Sequence, residues 1–197
     1  MLLLISSLLL MSCGADKYMK KGEKFLALGE YYDAADQFKQ AYTRTPAKER
    51  DTRGKRALKM AQCYQRINAT PKAIAAYRNA IRYNQASKED QLAYARQLLK
   101  NGDYIQAEKV FLMLKDSMPG NQLVANGLKS AQMAPEWKKQ GSRYIVKRMD
   151  VFNSRRHDYS PVLFGDDYDQ LYFTSTRNEA LGDELSGITG TKAGDIF

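Results

Sequence analysis

Few side chains in this 197-residue chain are equipped for covalent chemistry, and their spacing narrows the options further. His157 is the only histidine, it is flanked by Arg155 and Arg156, and no serine or cysteine sits in a nucleophile elbow. One histidine and two cysteines match no metal-ligand spacing. The acidic run Asp166, Asp167 and Asp169 lacks the glycine and closing glutamate of a calcium loop. The expectation is a chain with no catalytic residues, no metal site and no cofactor. Two groups remain. One is the thiol of Cys13. The other is a set of long polar side chains, Lys55, Gln62, Gln65, Arg66, Arg96 and Lys100, whose cations suit an acidic or C-terminal carboxylate ligand if helices bring them together.

Cys13 follows a run from Met1 to Met11 that is apolar apart from Ser6 and Ser7. The run is too short to span a bilayer, which takes about 20 residues, and it fits the apolar core of a secretory signal. Leu10-Met11-Ser12-Cys13-Gly14 resembles a bacterial lipobox, although no Lys or Arg precedes the apolar run. The resemblance implies removal of residues 1–12, acylation of the Cys13 thiol and durable anchoring, at about 0.8 kcal/mol per buried methylene. Gly14, in place of an aspartate, points to the outer membrane facing the periplasm. Cys63 then has no disulfide partner, and its neighbours Ala61 and Tyr64 suit a small buried residue.

The elements that must position the cations are internal repeats. A segment running from Gly29 through Ala34 and Phe38 to Pro46 is echoed from Asn68 through Ala73, Tyr77 and Ala80. It is echoed again from Gly102 through Ala107 and Phe111 to Pro119. Small residues at Ala34, Ala73 and Ala107 allow two helices to cross closely. Phe38, Tyr77 and Phe111 fill the space one turn further on. Gly29 and Gly102 permit the turn between helices. Ahead of each turn, Tyr18, Gly22 and Phe25 correspond to Ala57, Ala61 and Tyr64, and to Tyr94, Ala95 and Leu98. The later period matches tetratricopeptide repeats, which the motif also resembles. About five extra residues around 49–53 lengthen the first spacing.

The expected architecture is mainly α: a tetratricopeptide-repeat α-solenoid over 13–134, with repeats at about 15–48, 54–87 and 88–121. A capping helix over 122–134 closes it, and a linker follows over 135–143, with Trp137 packed on the cap. The first helix of each pair lines the concave face. By register that face carries Lys55, Gln62, Gln65 and Arg66 of the second repeat, and Glu89, Leu92, Arg96, Leu99 and Lys100 of the third. Members of the repeat family that bind chaperone tails use a lysine and asparagine clamp. Here Met19, Glu23 and Lys59 stand at the matching positions, so that clamp is absent. Protein partners in the groove remain the expectation.

Charge divides the chain: residues 1–148 carry a net +14 and residues 149–197 a net −5. The basic residues are scattered and no recognition motif accompanies them, so nucleic acid is not expected. Beyond 144 the pattern changes to β. Tyr144–Phe152 is rich in strand formers, Pro161 suits an edge strand, and Gly165–Asp169 is dense in turn residues. Leu171–Thr176 has strand composition, and a glycine-rich loop over 180–194 precedes a strand at Asp195. Ser160-Pro161 followed by Leu171, Phe173, Ser175 and Arg177 resembles a blade of TolB/WD-type β-propellers. Residues 144–197 are expected to open such a domain and leave its first blade incomplete, because a propeller needs about four to eight blades.

The order of lipobox, repeats and propeller opening resembles the PorE-like periplasmic lipoproteins of the type IX secretion system, which also carry an OmpA-like domain. That resemblance implies a non-catalytic scaffold at the outer membrane, helping to anchor secretion machinery to peptidoglycan. Peptidoglycan would be bound only by a domain absent from this chain. Two other classes share its parts: SusD-like glycan-uptake surface lipoproteins, and serine peptidases preceded by a propeller.

Overall fold

The computed structural model describes residues 2–182 and 184–197, with side chains from residue 14 onward, so the Cys13 thiol and the apolar leader lie outside the described side chains. The chain divides into two compact units, Met1–Gly141 and Ser142–Phe197.

The first unit is built of helices: α1 (Leu2–Ala27), α2 (Tyr31–Thr43), α3 (Arg50–Arg66), α4 (Thr70–Arg82), α5 (Lys88–Lys100), α6 (Tyr104–Ser117) and α7 (Gln122–Gln140). Each of the three repeats is one antiparallel pair, α1–α2, α3–α4 and α5–α6. The turns within the pairs use one device. Gly29, Asn68 and Gly102 all adopt positive φ (78°, 57° and 81°). Asn68 takes the place of glycine because its short polar side chain tolerates the left-handed region. Pro71 in the first turn of α4, a Ser87–Asp90 capping box on α5 and an Asn121 cap on α7 start their helices.

Packing follows the repeated small and large residues. Ala34, Ala73 and Ala107 are fully buried, as are Phe38 and Phe111, while Tyr77 is 1% exposed. Room for the rings comes from glycines on neighbouring helices. A Cβ at Gly22 would lie 2.6 Å from a carbon of Phe38, and one at Gly127 would lie 2.3 Å from Phe111. Cys63 is buried and free. Burial pushes its thiol pKa up to about 11, against a smaller opposing pull from Lys59.

Three details differ from the sequence reading. The extra residues near 50 start α3 at Arg50, ahead of the expected repeat boundary at about 54, and lengthen it to 17 residues, against 13 in α5. The capping helix does not stop at 134. It runs through Pro135 to Gln140, so the expected linker is helical over most of its length and Trp137 stands 53% exposed on the helix itself. A proline costs the helix its own N–H bond, yet α7 continues for five residues beyond it, where Lys139 pairs with Glu136 at 2.8 Å on the exposed face. The third detail belongs to the second unit. Residues 144–152 form no strand, and Tyr144, Ile145 and Val146 are more than 80% exposed. Strand-forming composition without a neighbouring strand to pair with leaves these residues irregular.

The second unit holds a three-stranded antiparallel sheet, ordered β1 (Asp158–Phe164), β2 (Gln170–Ser175) and β3 (Asp195–Ile196). A bulge between Tyr159 and Val162 accommodates Pro161 on the edge strand, with Ser160 at φ 53°. The acidic stretch forms the β1–β2 turn. The unit is locked by Asp158, which accepts from Ser154 N (2.6 Å), Ser175 Oγ (2.6 Å) and Arg177 Nη2 (3.0 Å). Arg177 also donates to the Phe152 carbonyl, and its guanidinium lies 4.8 Å from the ring centres of both Phe173 and Phe197. These bonds, led by Ser175, hold the Asp158 carboxyl well below the usual carboxylate range.

Candidate functional site

The helical unit carries a cavity of about 420 Å³ walled by Leu26 of α1, Tyr31 of α2, Gln62, Gln65 and Arg66 of α3, Tyr77 of α4, and Glu89, Asp90 and Ala93 of α5. All three repeats contribute to it. The last two turns of α3 form its floor because the i, i+3, i+4 spacing puts Gln62, Gln65 and Arg66 on one face.

Hydrogen bonds hold this floor in place. Tyr77 reaches across from α4 and its hydroxyl donates to Gln65 Oε1 at 2.6 Å. Burial first, and then the nearby Asp90, raise the Tyr77 pKa, so the hydroxyl keeps its proton. Gln62 Nε2 donates to Asp90 Oδ1 at 3.2 Å. Asp90 is itself fixed as the third residue of the α5 capping box, accepting from Ser87 N at 3.0 Å. An ionised carboxylate only accepts, so the Gln62 amide must turn its nitrogen to Asp90 and leave its oxygen for a ligand. Arg66 lies 5.8 Å from the Tyr31 ring centre, close enough for the ring face to hold the guanidinium at the cavity wall.

Of the expected groove residues, the structure brings Gln62, Gln65, Arg66 and Glu89 together. Lys55, Arg96 and Lys100 do not line the cavity. Lys55 sits about two turns before Gln62 on α3, and Lys100 donates to Asn68 Oδ1 at 2.7 Å, tying the end of α5 to the turn of the preceding repeat. The expected basic groove is therefore corrected: one arginine faces two carboxylates. Tyr31, Tyr77 and Asp90 were missed. The repeat register could have found Tyr31, because it follows the Gly29 turn and opens α2, next to the face already singled out. At the chaperone-clamp positions Lys59 is paired with Glu23 at 3.2 Å, which neutralises the charge that a carboxylate ligand would need.

A second cavity, of about 280 Å³, lies in the β unit against Met149, Phe152, Pro161, Leu171 and Phe173. Lys147, Asn153, Asp158 and Tyr159 also line it, and the Asp158 carboxylate there is already engaged by Ser154, Ser175 and Arg177. Among the described residues there is no cluster of three or more potential metal ligands, and no helix is long and apolar enough to cross a membrane.

No protein-family model matches the chain, and no curated protein matches its sequence. Solved structures do match in fold. One is the first tetratricopeptide-repeat domain of Spaghetti (RPAP3), solved bound to an HSP90 peptide. It is 18% identical with a TM-score of 0.51, and the match covers 64% of this chain and 96% of that one. Another is the C-terminal repeat-containing domain of an FK506-binding protein of Plasmodium falciparum. It is 15% identical with a TM-score of 0.54, covering 66% of this chain and 94% of that one. At such identities a likeness establishes the fold alone, and on that ground the chain is mainly helical and its helices form a tetratricopeptide-repeat solenoid.

Proposed function

We propose that this chain is a non-catalytic scaffold whose repeat groove binds an extended segment of a protein partner. The observation that carries the reading is the cavity shared by all three repeats. Its fixed amides at Gln62 and Gln65 can bond a peptide main chain, and Arg66 and Glu89 can address side chains of either sign. In the solved neighbour named above, a repeat domain of this fold holds a peptide. The lipobox-like sequence around Cys13 supports tethering to the outer membrane on its periplasmic side. The Ser160-Pro161…Ser175…Arg177 pattern supports the second unit as the opening blade of a TolB/WD-like propeller. The order of these parts supports a role in anchoring type IX secretion machinery to peptidoglycan.

The test is affinity capture of the intact protein extracted from membranes, with partners identified by mass spectrometry. Secretion-system proteins recovered with peptidoglycan are expected. Recovery of a carbohydrate-uptake channel instead would overturn the scaffold role and favour the glycan-uptake class. Gln65→Ala combined with Arg66→Ala should reduce capture at least tenfold without unfolding the repeats, since each lost charged or fixed hydrogen bond is worth about 1–3 kcal/mol.

A further inference from the structure

We infer that α1 carries a second binding surface, a lysine stripe that lies against anionic phospholipid headgroups beside the lipid anchor. Lys17, Lys20, Lys21 and Lys24 follow an i, i+3, i+4, i+7 spacing, which places them on one helix face, and all four are exposed. None of them forms an ion pair among the described residues. Leu28, on the same face one turn beyond Lys24, is 63% exposed. The two carboxylates nearest the stripe, both within about one turn of Lys20, are each paired across to α3. Asp16 bonds Arg56 of α3 at 2.5 Å, and Glu23 bonds Lys59 of α3 at 3.2 Å. Asp16 and Glu23 are paired with α3, while the four lysines keep no ion-pair partner among the described residues.

The position of this face suggests what it meets. The inference rests on the reading of Cys13 as the acylated residue. Packing of the solenoid starts two residues later, with Ala15 1% exposed and Asp16 held by the buried Arg56. There is no slack between anchor and solenoid. At about 1.5 Å of rise per residue, the four lysines begin about 6 Å from the anchor along the helix axis. Lys17 is therefore within one Debye length of the lipid surface, and an α1 lying along an anionic leaflet brings the other three to the same depth.

The experiment uses the leaderless chain, residues 13–197 with Cys13→Ser, floated with vesicles of phosphatidylcholine containing phosphatidylglycerol and with vesicles of phosphatidylcholine alone. The expected result is binding to the anionic vesicles only, weakening as salt rises. Replacing all four lysines by glutamine should lower the partition coefficient by roughly fivefold per lysine, or about 600-fold. A charge-matched control, with Lys109, Lys115, Lys129 and Lys138 replaced by glutamine, should bind like the parent. Equal loss in both variants would overturn the stripe as the contact and point to net charge. Equal binding to both vesicle types, or none to either, would overturn it outright. Acylation of Cys13 is read separately, by mass spectrometry of the full chain extracted from membranes. Its absence would remove the anchor and leave the vesicle result standing.

Discussion

Gly127→Ala should destabilise this protein, although alanine is the better helix former, and the sign should invert once Phe111 is shortened. A Cβ at position 127 would stand 2.3 Å from both Cε1 and Cζ of Phe111. Carbon atoms prefer about 3.5–4.0 Å, so the ring would have to withdraw by more than about 1 Å. It has nowhere to go: Phe111 is fully buried among Leu98, Leu114 and Val124, each 2% exposed or less. Overpacking of this kind costs about 1–3 kcal/mol. The gain from replacing glycine by alanine inside a helix is about 1 kcal/mol. The balance is a net loss of about 1 kcal/mol.

Phe111→Leu removes the ring carbons that collide, and in that background only the propensity term survives. Gly127→Ala should then stabilise by up to about 1 kcal/mol, a coupling of about 1–3 kcal/mol between the two positions. Urea unfolding of the leaderless chain measures both effects, followed by far-UV circular dichroism and by the fluorescence of Trp137, the only tryptophan. Trp137 lies on α7, and a solenoid transmits stability mainly between neighbours, so its transition should shift more than the dichroism does. Stabilisation by Gly127→Ala in the parent, or the same sign in both backgrounds, would refute the packing argument.

Three further outcomes follow from the structure. Cys63, 1% exposed and with its thiol pKa pushed up to about 11, should resist thiol reagents at neutral pH until the helices unfold, and rapid labelling of the native chain would contradict its burial. Asn68→Ala should cost about 1–2 kcal/mol because its φ of 57° is left-handed, whereas Asn68→Gly should lose only the exposed bond from Lys100, a few tenths of a kcal/mol, in the same urea assay. Asp158 has a folded-state pKa below its unfolded value of about 3.9. Its contribution to the β unit should be fully present above that value and lost as the pH falls through the folded one. Limited proteolysis across acid pH should show this loss, and Asp158→Asn should be cut in residues 142–197 even at neutral pH.

What the sequence made legible was whatever is recorded along a single helix. Ala34, Ala73 and Ala107, with Phe38, Tyr77 and Phe111, were read correctly because small and large residues at helical spacing must face a neighbour. Helix ends and strand partners were less legible. Pro135 signals a stop, yet one missing N–H did not break α7. The strand formers of 144–152 found no pairing edge, and composition alone cannot reveal that. The partner of Arg177 also escaped notice: the motif supplied Ser175 and Arg177, but Asp158 lies on another strand and only the β1–β2 pairing brings it to them.

The groove was misread for a related reason, and the correction bears on function. An excess of +14 over the first 148 residues invites the conclusion that the concave face is basic. The solenoid distributes that charge otherwise. Glu89 and Asp90 enter the cavity beside Arg66, Lys59 is spent on Glu23, and Lys100 is tied to the Asn68 turn. Meanwhile the lysines of α1 keep the outside of the stack. On the function proposed above, a groove with one arginine, two carboxylates and two fixed amides would select its ligand by main chain and mixed polarity, not by negative charge. On the inference above, the lysines of α1, about a quarter turn around the helix from its ion pairs with α3, meet a lipid surface instead of a peptide.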